Sequence, residues 1–219
     1  MKIVLASRNK HKIEEWQATL GKFIDGVEML SLDEVGIFDE IEEDGKTFEE
    51  NALIKARAAA KSGYIGIGED SGLSVNALGG EPGIYSARYG FDDSLDDWGR
   101  LLLLLKNTEH VPDGQRQAKF VCVISFVHPN GQVIQARGEI HGELLRQTRG
   151  ENGFGYDPIF YYPPLNKSTA ELSPEEKDID YQYDFSFELG SQRFPTAHRP
   201  NWCRFIHNLG EDLFRMMED

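Results

Sequence analysis

Two apolar runs, Gln117 to Val127 and Gln132 to Gly142, meet across Pro129-Asn130-Gly131. A turn of that composition between two such stretches dictates a hairpin, so the chain must contain a long antiparallel pair. The N-terminal half reads differently. Ile3-Val4-Leu5-Ala6 is a short buried strand ending in the polar turn Ser7-Arg8-Asn9, and Lys10 to Leu20 has helical character. Val27 to Leu32 is a second strand. Thr47-Phe48-Glu49-Glu50 fits a capping box, with Thr47 as N-cap and Glu50 at N3, and starts a helix running to about Ser62. Its stripe of Phe48, Ala52, Ala56, Ala59 and Ala60 is narrow enough for close packing. Tyr64 to Gly68 is a strand that runs into Glu69-Asp70-Ser71-Gly72, which has the look of a tight turn. Ser94 to Lys106 reads as a helix with Trp98, Leu101, Leu102 and Leu105 on one stripe, and Trp202 to Met217 as a last amphipathic helix. Strands interleaved with helices, plus one hairpin, predict an α/β chain with a mixed sheet.

At 219 residues the chain is one generous domain spanning 1–219, since domains run to about 150 residues. Hydrophobic residues make up 40 % of it, enough to rule out disorder and to fill a real core. The net charge of −14 argues against nucleic acid and anionic membranes as partners, because both require a phosphate-neutralising surface. Two cysteines, Cys122 and Cys203, make neither a disulfide framework nor a zinc spacing. The apolar stretch at Ile3 is too short for a signal peptide, and Phe120 to Val127 is far below membrane-spanning length. A cytoplasmic location is expected.

Several clusters could carry chemistry. Ser7-Arg8-Asn9-Lys10-His11-Lys12 puts a hydroxyl, an amide and cations at a strand-to-helix junction, where free backbone N–H groups favour an anion. By itself it also reads as a plain capped surface helix. Glu42 and Glu43 in an acidic loop, with Glu69 and Asp70 after an apolar strand, are hard oxygen ligands that suit Mg²⁺ rather than zinc or copper. Asp39, Glu40 and Asp44 read as solvated charge. Two adjacent carboxylates, Glu69 and Asp70, repel unless a cation is near. Asn51 and Lys55 stand i, i+4 on the Thr47 helix, either pointing inward beside the acidic loop or forming an ordinary polar flank. Phe154-Gly155-Tyr156-Asp157 offers an aromatic face that could stack on a base.

These signals fall in one order along the chain: Ser7 to Lys12, Thr47 to Ala52, Glu69 to Leu73, Gly83 to Tyr89, Phe154 to Pro158 and Thr169 to Leu172. In that order the sequence resembles the inosine triphosphate pyrophosphatase family, enzymes that cleave dITP, ITP and XTP to the monophosphate and pyrophosphate. The resemblance covers Met1 to Lys177. It implies an elongated mixed α/β structure with two lobes flanking a nucleotide cleft, and a homodimer. It implies that Ser7, Arg8, Asn9, Lys10, His11, Lys12 and Lys55 hold the triphosphate. Mg²⁺ falls to Glu42, or its neighbour Glu43, together with Asp70. The resemblance also makes Asp70 the proton acceptor for the water that attacks the α-phosphorus. Ser71, Phe154, Gly155, Tyr156, Asp157, Lys177, His198 and Arg199 complete the substrate set.

A pocket of donors such as Lys177 and Arg199 pairs with the O6 of hypoxanthine or xanthine and leaves the amino group of adenine facing a donor, a mismatch worth roughly 10⁴-fold. The chain departs from the family pattern in one place. The family's Ser-His-Arg-Gly follows the lysine within a few residues, whereas here 178–197 intervenes and the match is Ala197-His198-Arg199-Pro200. Tyr181, Tyr183, Phe185 and Phe187 alternate there as a strand would. Two alternatives to this activity stay open on sequence grounds: a non-catalytic purine-nucleotide binder, and a related pyrophosphatase with a different base preference.

Overall fold

The computed structural model describes residues 1–22, 24–173 and 176 in full, and 182–189 and 192–200 as backbone. The expected α/β class is what the chain adopts. β1 (Lys2–Leu5) buries Ile3, Val4 and Leu5, and pairs in parallel with β2 (Glu28–Leu30) and with β3 (Ile65–Val75). Its neighbours face it in register, Ile3 opposite both Met29 and Ile65. Between β1 and β2 runs α1 (Lys10–Leu20), and between β2 and β3 runs α2 (Phe48–Ala60). The parallel part of the sheet therefore comes from strand–helix–strand units.

The predicted hairpin forms β4 (Gln117–Val127) and β5 (Val133–Leu144), closed by Gly131 in the left-handed region with its N–H donating to the His128 carbonyl. β6 (Phe160–Tyr162) and β7 (Lys167–Ser168) add antiparallel strands, giving the order β2-β1-β3-β4-β5-β6-β7. β8 (Gln182–Leu189) pairs with β5 and with β9 (Gln192–Pro200), so the alternating stretch from Tyr183 to Phe187 is a strand as its pattern predicts. Lys177, Tyr181 and the helix expected over Trp202 to Met217 lie outside the described residues, as do the side chains of His198 and Arg199.

The chain divides into two compact units. The first holds Met1–Asp70 and Cys122–Gly138, with β8 from Asp184 onward and β9. Its core is Ile3, Leu5, Trp16, Leu20, Ile67 and Phe126 with their neighbours. The second holds Ser71–Val121 and Glu139–Tyr183. There α3 (Asp97–Asn107), capped by Asp96, buries Leu101 and Leu104, while Trp98 and Leu102 are exposed. The stripe predicted through Trp98 and Leu102 is thus displaced around the helix. Thr108 ends α3, and Arg116 is buried against it, donating to the carbonyls of Thr108, Leu144 and Leu145. Among the described residues no helix is long and apolar enough to cross a membrane.

One expectation fails within the sheet. Glu69 to Gly72 is not a tight turn: β3 passes straight through it, so Asp70 sits in mid-strand rather than at a strand end. The reason is that β3 runs on as one strand from Ile65 to Val75 beside its neighbour β4, and a backbone taken up in a sheet has no cause to turn.

Candidate active site

The alternation of a strand decides where the two central carboxylates go. Successive side chains point to opposite faces, so Glu69 and Asp70 do not share a site and their expected mutual repulsion is avoided. Glu69 accepts from Lys12 Nζ at 3.1 Å and from Trp16 Nε1 at 3.4 Å, both on α1. Asp70 meets α2 instead. Its Oδ2 accepts from Asn51 Nδ2 at 3.1 Å, and its Oδ1 lies 3.5 Å from Lys55 Nζ. Lys55 also pairs with Glu43 Oε1 at 3.1 Å. Asn51 and Lys55 are one helical turn apart, so a single face of α2 supplies both groups.

That face is held by backbone contact. A Cβ at Gly68 would run into the Ala52 carbonyl and the Ala56 nitrogen, and one at Gly66 into Ala56 and Ala60. The alanine stripe of α2 therefore lies directly on the two glycines of β3. Thr47 caps the helix as predicted, its hydroxyl accepting from the Glu50 N–H at 3.1 Å. The other half of the capping box is displaced by one residue, for Glu50 accepts from the Lys46 N–H rather than from that of Thr47.

Burial raises the Asp70 pKa above the ordinary carboxylate value; Lys55 and the Asn51 hydrogen bond pull it down, and Glu43 adds to the rise. Burial pulls the Lys12 ammonium down, but Glu69, with Cys122 and Glu15, more than offsets this and its pKa ends raised. Both charged groups thus depend on their partners across the strand.

The N-terminal loop divides its tasks. Asn9 caps α1, its Oδ1 accepting from the His11 N–H at 3.0 Å while its own N–H donates to Ser7 Oγ at 3.1 Å. Lys10 and His11 are exposed. Arg8 turns away from the helix terminus. Its guanidinium donates to Asp33 Oδ1 at 3.0 Å and to the Ile37 and Asp39 carbonyls at 3.2 and 3.1 Å, anchoring the segment that leads to the acidic loop. Of the loop carboxylates, Glu43 reaches Lys55, whereas Glu42 is exposed.

A model of the Ham1 family matches residues 3–179. The chain belongs to the Ham1 family. Among Ham1 relatives, the dITP/XTP pyrophosphatase of Leuconostoc mesenteroides subsp. mesenteroides is 45 % identical over 181 residues, covering 81 % of this chain and 89 % of that one. The enzyme of the same name from Haemophilus ducreyi is 47 % identical over 186 residues, covering 83 % and 92 %. The solved Ham1 protein of Staphylococcus aureus superposes with a TM-score of 0.79 at 38 % identity, covering 97 % of this chain and 99 % of that one.

Within this Ham1 chain the first unit brings Glu43, Lys55 and Asn51 together around Asp70, and on the other face of β3 pairs Lys12 with Glu69. The second unit contains Ser71, which is exposed, and the Phe154-Gly155-Tyr156-Asp157 loop. In that loop only Phe154 presents its ring outward, 84 % exposed. Tyr156 is buried with its hydroxyl donating to the Ser86 carbonyl at 2.9 Å, and burial pushes its phenol above the ordinary range. Asp157 accepts from Thr169 Oγ1 at 2.8 Å and from the Phe154 N–H at 3.3 Å. Tyr156 and Asp157 build the loop, and Gly155, in the left-handed region, lets it turn. The partnership of Glu69 with Lys12 and Trp16 had no signal in the sequence, because it joins residues more than fifty positions apart.

Proposed function

We propose that the chain hydrolyses dITP, ITP and XTP to the nucleoside monophosphate and pyrophosphate. The observation that carries the reading is Asp70, a buried carboxylate held by one neutral donor and one cation on a single helix face, in a chain whose relatives are dITP/XTP pyrophosphatases. A carboxylate with a raised pKa has the basicity to take a proton from the water that attacks phosphorus. Lys55 would turn from Glu43 to the phosphate oxygens beside Asp70.

The donor set fits Mg²⁺. Glu43 Oε1 and Asp70 Oδ1 both lie against Lys55 Nζ, at 3.1 and 3.5 Å, so two carboxylates share one cationic position. That suits an ion which commonly takes one or two carboxylates and completes its shell with substrate phosphates and water. Asp70 and Glu43 would hold it, with Glu42 the neighbouring alternative. Bound there, Mg²⁺ offsets charge on the phosphates and makes the attacking water more acidic. Phe154 would stack on the purine, and Lys177, His198 and Arg199 would supply the donors that favour O6 over an amino group. A homodimer and a cytoplasmic location belong to the same reading.

Asp70→Asn tests it. Turnover of ITP should fall by roughly 10²–10⁴-fold with nucleotide binding still measurable, the usual cost of losing a general base. A variant that keeps more than about a tenth of the wild-type kcat contradicts the role given to Asp70.

A further inference from the structure

Asn51 is fully buried on α2, where neighbours such as Phe48, Ala52 and Ala56 are apolar. Its amide is used on one side only. Nδ2 donates to Asp70, but Oδ1 has no hydrogen-bond partner. A buried acceptor left without a donor lowers stability, so an apolar residue would serve the fold better at this position. The amide is also fixed in orientation. Gly45 closes over it so tightly that a Cβ there would stand 2.5 Å from Asn51 Oδ1. Turning the amide over would set its oxygen against the Asp70 carboxylate.

We infer that Asn51 is a positioning residue for the reaction, holding Oδ2 of Asp70 so that Oδ1 alone is left to exchange partners. The two donors on this face of α2 differ in kind. Lys55 is charged and shared with Glu43, so it is drawn away when a phosphate or a cation arrives. Asn51 is neutral and carries no charge to compete with a cation at the same carboxylate. Because α2 lies on Gly66 and Gly68 through backbone contact, the Asn51 donor keeps its place while the charged partners rearrange. The inference rests on the proposed function, since a base needs a fixed direction only if a proton is to be taken.

The experiment compares wild type, Asn51→Leu, Asn51→Ala, Asp70→Asn and the double variant Asn51→Leu/Asp70→Asn, with ITP and Mg²⁺ and a thermal melt of each. The expected result is a kcat lower by about 10- to 100-fold in both Asn51 variants, as for partners that orient a reacting group. KM should stay within about threefold, since substrate binding is not what is lost. The melting temperature of Asn51→Leu should not fall, and the double variant should be no slower than Asp70→Asn alone. Asn51→Ala keeps the test alive if the larger leucine does not fold. A folded Asn51 variant with wild-type kcat overturns the inference, as does a rise in KM at constant kcat, or an Asn51 loss that adds in full to that of Asp70→Asn. A wild type without ITP hydrolysis overturns the proposed function, and this inference with it; an active wild type with an equally active Asn51→Leu overturns the inference alone.

Discussion

Asp70 carries a consequence for stability as well as for chemistry. Its folded pKa is raised, so the folded chain holds that proton more tightly than the unfolded chain does. Its contribution to stability is therefore full below the unfolded carboxylate range and is lost as pH rises through the folded value. Asp70→Asn escapes that loss while keeping an oxygen for Asn51 Nδ2. In chelator, the variant should melt no lower than wild type at neutral pH, and its relative advantage should shrink as pH falls and wild-type Asp70 takes up its proton. An advantage that instead grows on acidification contradicts the burial of this charge. The two loop carboxylates make a second comparison. Glu43→Gln should raise the Mg²⁺ needed for half-maximal activity by more than about tenfold, whereas Glu42→Gln should leave it nearly unchanged. The reverse ranking would return the metal to Glu42. Sequence spacing isolates this cluster but cannot choose between adjacent glutamates, because the choice depends on which side of a loop faces Lys55. Arg8 shows the same limit: its place among phosphate-seeking residues suggests an anion, and only the fold reveals its bonds to Asp33, Ile37 and Asp39.

At the scale of elements, what positions the site is the contact of α2 with β3. The alanine stripe of α2 is legible in the sequence, and so is its N-cap, because both are local signals. The glycines that receive the stripe, Gly66 and Gly68, read only as strand residues until the helix is laid on them. Gly68→Ala would force a methyl group into the backbone of α2, which cannot yield as a flexible side chain would. Overpacking of this kind costs about 1–3 kcal/mol or more, so the melting temperature should drop by roughly 2–12 °C for a chain of this size. Turnover should fall with it, because Asn51 and Lys55 move with the helix. An unchanged melting curve would mean that α2 does not lie on β3 as described. The displaced stripe of α3 has a different cause. Leu101 to Leu105 is an unbroken apolar run, so periodicity alone cannot pick the buried face, and packing selects Leu101 and Leu104. The supposed turn at Glu69 to Gly72 misled for a related reason: polar and glycine residues resemble a turn, yet in mid-sheet they are what a site on a strand requires.

For the whole molecule, the Ham1 family model accounts for most of the chain and stops in its C-terminal part. The Ham1 match ends at residue 179, shortly before β8 and β9. Up to that point six motifs in one order made the family legible from sequence. Beyond it, the alternation from Tyr183 to Phe187 predicted a strand correctly, because period-two patterning is a local signal. Where His198 and Arg199 direct their donors is a tertiary matter that no local pattern encodes. On the proposed function, this chain cleaves non-standard purine nucleoside triphosphates at the α-phosphorus with Mg²⁺. The most direct measurement is pyrophosphate release from ITP, dITP, XTP, ATP and GTP, each with Mg²⁺ and with EDTA. Stoichiometric monophosphate and pyrophosphate from ITP, dITP and XTP, far slower release from ATP and GTP, and none in EDTA is the expected result. Equal rates on ATP and ITP, orthophosphate in place of pyrophosphate, or full activity in chelator would contradict it.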